Sequence, residues 1–103
     1  MIGEFEYLLI TAAVRLGEGA YGAAIRREIE DATECQCSLG ALYTTLDRLE
    51  TKGLVNTWMG EATAERGGRA KRMVCVTAEG IRSASAFYSA IARVSRDVSW
   101  ETK

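Results

Sequence analysis

The stretch that most constrains the fold is residues 38–77, in which one helical pattern precedes two short strand patterns. Four leucines give this helix a single apolar stripe: Leu39, Leu42, Leu46 and Leu49. Ser38 is a favourable N-cap residue, and Gly53 suits the left-handed position that ends a helix. Residues 55–60 and 70–77 have strand composition, and the polar segment between them contains two adjacent glycines that favour a tight turn. A helix followed by such a hairpin is the second half of a winged helix-turn-helix.

Two further helical patterns precede this stretch, in residues 4–16 and 21–32. The second of them would form the helix-turn-helix pair with the leucine-striped helix. The first carries an additional apolar stripe at Tyr7, Ile10 and Val14. Because one small domain can rarely cover both faces of its first helix, this helix is either fully buried or also packs on another subunit.

The last helical pattern runs over residues 78–100, with Thr77 as its N-cap. Roughly 23 residues at 1.5 Å each would give a helix of about 34 Å, longer than the core of a winged helix is wide. One seam of this helix follows three-four spacing: Ile81, Ala84, Tyr88, Ile91, Ser95 and Val98. Phe87 and Val94 widen this apolar band. We therefore expect a mainly α fold with a small β-hairpin, in which residues 1–77 form a winged helix-turn-helix domain and residues 78–103 form a C-terminal dimerisation helix.

Charge is distributed unevenly along the chain. The net charge is −1, which by itself does not indicate a nucleic-acid partner. Residues 52–76, however, contain five basic and two acidic residues, whereas residues 1–51 contain four basic and nine acidic residues. Four basic residues lie close together at the turn of the hairpin: Arg66, Arg69, Lys71 and Arg72. Because phosphate contact depends on local charge, this hairpin can bind DNA on an otherwise acidic protein; the alternative is a basic tip that is only solvated.

The composition argues against several other classes of protein. The chain has no histidine, so it lacks an ordinary imidazole base and a histidine-based metal site. Three cysteines are too few for a four-thiolate zinc site, and we expect no catalytic residue, no metal and no cofactor. Cys35 and Cys37 are either reduced structural residues or part of a redox or soft-metal sensor, and Cys75 stands alone. No apolar run is long enough to cross a membrane and the opening residues are acidic, so we expect a cytoplasmic protein without a membrane partner.

Four segments together carry a resemblance to a known family. They are AYGAAIRREIE at residues 20–30, SLGALYTTLDRLETKGLV at residues 38–55, ERGGRAKR at residues 65–72 and VTAEG at residues 76–80. In this order they resemble the PadR family of bacterial winged-helix transcriptional regulators, in its short form with a single C-terminal helix. Two departures are visible: Ala78 stands where the family often has proline, and Met73 and Val74 replace a frequent aromatic pair.

The resemblance implies a homodimeric regulator, usually a repressor, that binds an inverted-repeat operator in double-stranded DNA. It also implies that Tyr43 of the recognition helix and Tyr21 of the Tyr-Gly pair lie near the DNA backbone; the alternative is that both are partly buried and support the helix pair. Some members of the family release DNA on binding phenolic or flat hydrophobic compounds. A small hydrophobic or aromatic effector is therefore a further expected partner.

The predicted DNA-binding residues have side chains suited to phosphate groups, to base edges or to close approach of the backbone. They are Tyr21, Ser38, Gly40, Ala41, Tyr43, Thr44, Arg48, Lys52, Arg66, Gly67, Gly68, Arg69 and Lys71. Ser38, Tyr43 and Lys52 suit phosphates, and Arg48 suits either phosphate or base. Gly40, Ala41 and Thr44 suit base edges. Arg66 and Arg69 suit the narrow minor groove, and Gly67 and Gly68 allow the backbone to approach it.

The predicted dimer interface, with a candidate effector site in it, consists of apolar residues from the first and last helices. They are Tyr7, Ile10, Val14, Phe87, Tyr88, Ile91, Val94, Val98 and Trp100. The aromatic side chains among them either line a site for a planar ligand or simply fill the interface. The alternative function is a winged-helix module for protein–protein interaction that does not bind specific DNA.

Overall fold

The computed structural model describes residues 1–60 and 70–102. Its helices are α1 (Glu4–Leu16), α2 (Gly22–Thr33), α3 (Leu39–Thr51) and α4 (Ala78–Val94), and its strands are β1 (Val55–Met59) and β2 (Arg72–Val76). A short 3-10 turn, Gly17–Gly19, separates α1 from α2. The fold is the predicted one, a mainly helical chain with a two-stranded antiparallel hairpin and a C-terminal helix.

The hydrophobic core lies around α1, which contacts α2, α3, α4 and β2. The largest fully buried side chains come from the three helices before the hairpin and from β1: Leu9, Ile10, Ile25, Leu42, Leu46, Leu49 and Val55. Burying a side chain of this size contributes about 1.5–3 kcal/mol. The leucine stripe of α3 is therefore confirmed at three of its four positions, whereas Leu39 at the start of the helix is exposed.

α1 is buried over a wider arc than its sequence pattern suggests. Ile10 has 0% exposure, so its assignment to an outward stripe shared with Tyr7 and Val14 is wrong. The physical reason is that α1 is covered by neighbouring elements on several sides, and Ile10 points into the same core as Leu9 and Ala13. Val14 is exposed and Tyr7 is half-buried. Only part of the predicted second stripe is thus available to another molecule.

The predicted cap residues Ser38, Gly53 and Thr77 are confirmed by hydrogen bonds and backbone geometry. The Ser38 hydroxyl accepts a bond of 3.0 Å from the Ala41 N–H at the start of α3. After α3, Gly53 has a φ of 76°, in the left-handed region that glycine tolerates. The Thr77 hydroxyl accepts a bond of 3.1 Å from the Gly80 N–H at the start of α4. These caps satisfy backbone groups that a helix leaves free at its ends.

The hairpin is attached to the helix-turn-helix as well as paired with itself. β1 and β2 are antiparallel, with Val55 opposite Val76 and Met59 opposite Arg72, and both strands are slightly shorter than predicted. The Val74 N–H donates to the Ala20 carbonyl at 3.0 Å, just before α2 begins. The residues just before α2 are therefore joined directly to the second strand, as the bridge between Tyr21 and Met73 also shows.

α4 is shorter than the sequence pattern suggests. It ends at Val94 after 17 residues, so the predicted continuation to residue 100 is wrong. Asp97 has a φ of 62° in the turn that follows, and Ser, Asp and Val in this segment are weak helix formers. Val98 and Trp100 therefore lie beyond the helix. Among the described residues, no helix is both long enough and apolar enough to span a bilayer.

Candidate nucleic-acid interface

The side of α3 opposite its buried leucines is open to solvent. Gly40, Thr44 and Arg48 follow one another at intervals of four residues, and all three are exposed, as is the neighbouring Ala41. A methyl group built on Gly40 would meet no atom within 4 Å. We call these four residues the α3 strip. The small side chains of Gly40, Ala41 and Thr44 leave the helix backbone accessible to a molecule that lies against it.

Two side chains of α2 fix the position at which α3 starts. The Arg26 Nε donates to the Cys37 carbonyl at 2.7 Å, and the Cys37 N–H donates to Glu30 Oε2 at 2.8 Å. Ser38, the N-cap of α3, follows directly. The start of the helix is thus held to α2 through the backbone of the preceding residue, which sets the angle between the two helices.

The two predicted DNA-contacting tyrosines lie between elements of the fold. A methyl group built on Gly22 would come within 2.5 Å of the Tyr43 hydroxyl oxygen, so the ring occupies the space that glycine leaves at the start of α2. The Tyr21 hydroxyl accepts a bond of 3.2 Å from Arg27, and the Lys71 ammonium lies 4.5 Å from the Tyr21 ring centroid. Both tyrosines are partly buried, which agrees with the alternative in which they support the helix pair. A DNA contact by either of them stays a prediction.

An ion-pair network connects α3 to the hairpin, and its central residue was not among the predicted site residues. Arg72 of β2 lies 2.8 Å from Asp47 Oδ1 and 3.4 Å from Glu50 Oε1 on α3. Glu50 also accepts bonds from the hydroxyl (2.8 Å) and N–H (2.9 Å) of Thr57, and these bonds hold the pKa of its carboxyl below the ordinary value. The sequence shows Asp47 and Glu50 one turn apart but not that Arg72 would lie opposite them. Arg72 is thus a structural cation that orients the hairpin.

Lys52 forms an ion pair within the protein while its side chain remains 45% exposed, so a phosphate contact by Lys52 stays a prediction. Its ammonium lies 2.9 Å from Glu6 Oε2, at the first turn of α1. Burial alone would raise the pKa of Glu6, but hydrogen bonds from the Gly3 N–H and from Lys52 hold it below the ordinary value. This pair joins the end of α3 to the start of α1. A sequence gives no sign of it because the two residues are far apart in the chain.

The four residues predicted at the tip of the hairpin, Arg66, Gly67, Gly68 and Arg69, lie outside the described residues. Lys71, just before β2 at the turn end of the hairpin, is half-buried, and its ammonium is placed over Tyr21. The part of the hairpin that the structure describes therefore contributes mainly internal contacts.

A second surface, formed by α1 and α4, carries exposed apolar side chains. We call it the α1–α4 face, and its exposed members are Val14, Ile81, Tyr88, Ile91 and Val94. The rings of Tyr7 and Phe87 are stacked, with centroids 4.9 Å apart. A groove of about 330 Å³ runs beside them and is also lined by Tyr88 and Ile91. Trp100 does not line this groove and is 80% exposed.

The sequence comparison decides the family. The profile of the transcriptional regulator PadR-like family matches residues 12–86, which is more than half of the chain. The chain belongs to this family. It is a PadR-like transcriptional regulator with a DNA-binding winged helix, and the members of this family are transcriptional regulators and not enzymes. No curated protein sequence matches it.

Solved structures share the fold of the PadR-like chain. A PadR family regulator from Clostridium difficile is 23% identical with a TM-score of 0.72, and the match covers 90% of this chain and 95% of that one. RosR from H. salinarum, solved as a complex, is 26% identical with a TM-score of 0.66 and coverage of 95% and 77%. A winged-helix DNA-binding protein from STIV is 18% identical with a TM-score of 0.69 and coverage of 88% and 90%.

Proposed function

We propose that this PadR-like protein represses transcription as a homodimer that binds an inverted-repeat operator. The observation that carries the proposal is the α3 strip: small, exposed side chains on a helix that is capped, anchored to α2 and connected to the hairpin. A helix whose exposed face carries mostly small side chains can enter the major groove, which has room for one α-helix. Repression follows where the operator overlaps a promoter, because the bound dimer excludes polymerase.

The residues of the α3 strip are proposed to divide between bases and phosphates. Gly40, Ala41 and Thr44 approach base edges, where a methyl group can contact thymine and a hydroxyl can bond to any base. Arg48 is exposed and is proposed to reach a phosphate or a guanine. Arg66 and Arg69 remain proposed minor-groove contacts at the hairpin tip.

The α1–α4 face is proposed to form the dimer interface. Its exposed apolar side chains would be covered by the same surface of a second chain, as twofold symmetry requires. The two α3 helices would then lie about 34 Å apart, one turn of DNA, and the operator half-sites would share that spacing. The groove beside Tyr7, Phe87 and Tyr88 lies at this interface and suits a small planar effector.

Fluorescence anisotropy with a labelled duplex from the gene's own upstream region tests the proposal. We expect tighter binding than to a scrambled duplex, and a steep loss of affinity as salt rises. Equally weak binding to both duplexes, with an intact dimer, would instead favour a module for protein–protein interaction. Repression itself is tested with a reporter gene placed behind the same upstream region.

Two substitutions separate specific from general contacts. Thr44→Ala should relax the preference at one base pair in each half-site and leave binding to scrambled DNA unchanged. Arg69→Ala should weaken binding to all duplexes alike and lower the salt dependence. Equal losses on both duplexes for both variants would contradict the proposed division of roles.

A further inference from the structure

A further apolar groove lies where the hairpin meets the start of α4 and the end of α1. Its volume is about 380 Å³, and its lining includes Val14 of α1, Trp58 of β1, Cys75 of β2 and Ile81 of α4. We call it the Trp58 groove. Trp58 is 52% exposed, although tryptophan has one of the largest apolar side chains. The groove is therefore an apolar surface that the chain itself covers only in part.

The Trp58 groove is continuous with the α1–α4 face. Val14 and Ile81 are exposed members of that face and also line the groove. A molecule that covers the α1–α4 face therefore lies directly beside the groove. A second copy of the chain is the partner proposed above for that face.

The segment that follows α4 carries its own exposed apolar side chains. We call residues 95–102 the α4 tail. Val98 and Trp100 in this tail are exposed, and neither of them lines the Trp58 groove of its own chain. The chain thus exposes an apolar groove at one place and apolar side chains of matching character at another.

The length of α4 separates the tail from the groove of the same chain. Ile81, which lines the groove, and Val94, the last residue of the helix, lie about 20 Å apart along its axis. Directly after the helix, the Val98 N–H donates to the Ser95 carbonyl at 3.1 Å, and this turn shortens the reach of the tail. A tail that covers the Trp58 groove therefore comes from another chain.

Twofold pairing of two α1–α4 faces can place the two α4 helices parallel or antiparallel. In a parallel pair, both tails lie at one end of the interface and both grooves stay open to water at the other end. In an antiparallel pair, the end of each α4 lies beside the start of the other, so each tail meets the Trp58 groove of its partner. The antiparallel pair covers both sets of apolar side chains, and burial of apolar area favours association.

We propose that the Trp58 groove binds the α4 tail of a second copy of this chain, and that Trp100 of the tail packs against Trp58. The inference rests on the proposed homodimer and specifies its orientation, because this contact requires antiparallel α4 helices. It also brings each tail into contact with the hairpin of the other chain. The dimer contact thus extends from the α1–α4 face to the winged helix-turn-helix domain itself.

Disulfide trapping between two differently substituted chains tests the contact. One chain carries Cys35→Ser and keeps Cys75 in the groove. The other carries Cys35→Ser, Cys75→Ser and Ser99→Cys, which leaves Val98 and Trp100 in place. Because neither chain contains both thiols, a disulfide between positions 75 and 99 joins two chains. After co-expression and mild oxidation, we expect this disulfide in most mixed dimers, measured by peptide mass spectrometry.

Ser85→Cys in place of Ser99→Cys is the matched control. Ser85 is exposed on α4, on the side of the helix that carries Arg82, and its replacement should give no disulfide with Cys75. Equal yields from positions 85 and 99 would overturn the proposal.

Trp100→Ser measures how much the contact contributes to the dimer. We expect the dissociation constant of the dimer to rise about tenfold, because tryptophan is enriched among the residues that dominate binding energy. Trp100→Phe keeps an aromatic ring and should recover most of the affinity. It also leaves Trp58 as the remaining tryptophan of the chain, and the Trp58 emission should shift to shorter wavelength as the protein dimerises. An unchanged dissociation constant for Trp100→Ser would overturn the proposal.

Sedimentation equilibrium of the unsubstituted chain separates this inference from the proposed function. A monomer at all concentrations would overturn the homodimer and the tail contact together. A stable dimer that forms no disulfide between positions 75 and 99 would overturn the tail contact alone.

Discussion

The two sides of this molecule differ in the side chains that they expose to solvent. On the side formed by α3 and the hairpin, charged groups are paired within the chain, as with Arg72 between Asp47 and Glu50. On the α1–α4 face, large apolar side chains are left in water, and Val94 is 82% exposed. The hairpin also exposes Trp58 and Met59 of β1, and Trp58 lines a groove together with Val14 and Ile81 of the α1–α4 face. The α1–α4 face exposes large apolar side chains of the kind that are normally buried in a hydrophobic core.

This contrast assigns a different partner to each side. A helix strip with small side chains and a nearby arginine suits a polar, charged surface such as DNA. A contiguous apolar patch is unfavourable in water and marks a protein or ligand contact. The contrast also predicts that substitutions on the α1–α4 face change dimer formation. Substitutions in the contacts between the two sides should instead change the stability of the fold.

The largest effect is expected from Ile91→Arg on the α1–α4 face. A charged side chain at the centre of an apolar interface costs several kcal/mol of binding free energy. We therefore expect the dissociation constant of the dimer to increase by about two orders of magnitude or more. Sedimentation equilibrium measures the change, and circular dichroism checks that the chain stays folded. Ala86→Arg is the matched control, because Ala86 is also exposed on α4 but lies on the side of the helix that carries Arg82 and Arg93. A dimer that survives Ile91→Arg would contradict the assignment of this face.

Gly80→Ala should give the largest loss of stability. A methyl group at Gly80 would come within 2.2 Å of the Leu54 carbonyl oxygen and 2.7 Å of Val76 Cγ1, and the carbonyl belongs to backbone that cannot move aside cheaply. Overpacking of this kind costs about 1–3 kcal/mol, and we expect a value near the upper end. Gly80 lies where α4 meets the end of α3 and the hairpin. Urea unfolding should therefore remain a single transition at a lower midpoint; two separate transitions would show that the two sides fold independently.

Glu6→Gln tests the pair that joins α1 to the end of α3. At neutral pH we expect the free energy of unfolding to fall by about 1 kcal/mol. A hydrogen bond between charged groups is usually worth more than this, but partial exposure of Lys52 to solvent weakens the pair. The pKa of Glu6 is lowered in the folded state, so the folded protein binds fewer protons than the unfolded one. Its contribution is therefore complete above the unfolded-state pKa and disappears as pH falls through the folded-state pKa. The two proteins should converge in unfolding free energy at acidic pH, and a difference that persists there would contradict this account.

Local signals in the sequence predict the helices and strands well. Burial and ion pairing depend on residues far apart in the chain, and the sequence alone could not show them. The leucine spacing and the caps at Ser38 and Thr77 place α3 and the start of α4, since both depend on neighbours in the chain. The burial of Ile10 depends on which elements surround α1, and the roles of Lys52 and Arg72 depend on partners 46 and 22–25 positions away. The sequence shows that Lys52 and Arg72 are basic, but not that carboxylates of the same chain, those of Glu6 and Asp47, lie within 3 Å of them.

The smallest effect on stability, and the sharpest test of the α3 strip, is expected from Gly40→Ala. A methyl group there meets nothing within 4 Å, and alanine favours a helix over glycine, so the protein should become more stable by about 0.5–1 kcal/mol. If Gly40 lies against a base edge, the same methyl group should weaken operator binding by about 1 kcal/mol or more, comparable to one mismatched base pair. Gly19→Ala is the matched control, because that position is equally open but lies in the turn between α1 and α2. Thermal unfolding measures the change in stability, and fluorescence anisotropy measures the change in affinity for the operator. Higher stability with unchanged affinity would show that DNA does not approach this part of α3, and the contrast between the two sides would then have to be explained without a DNA partner at the strip.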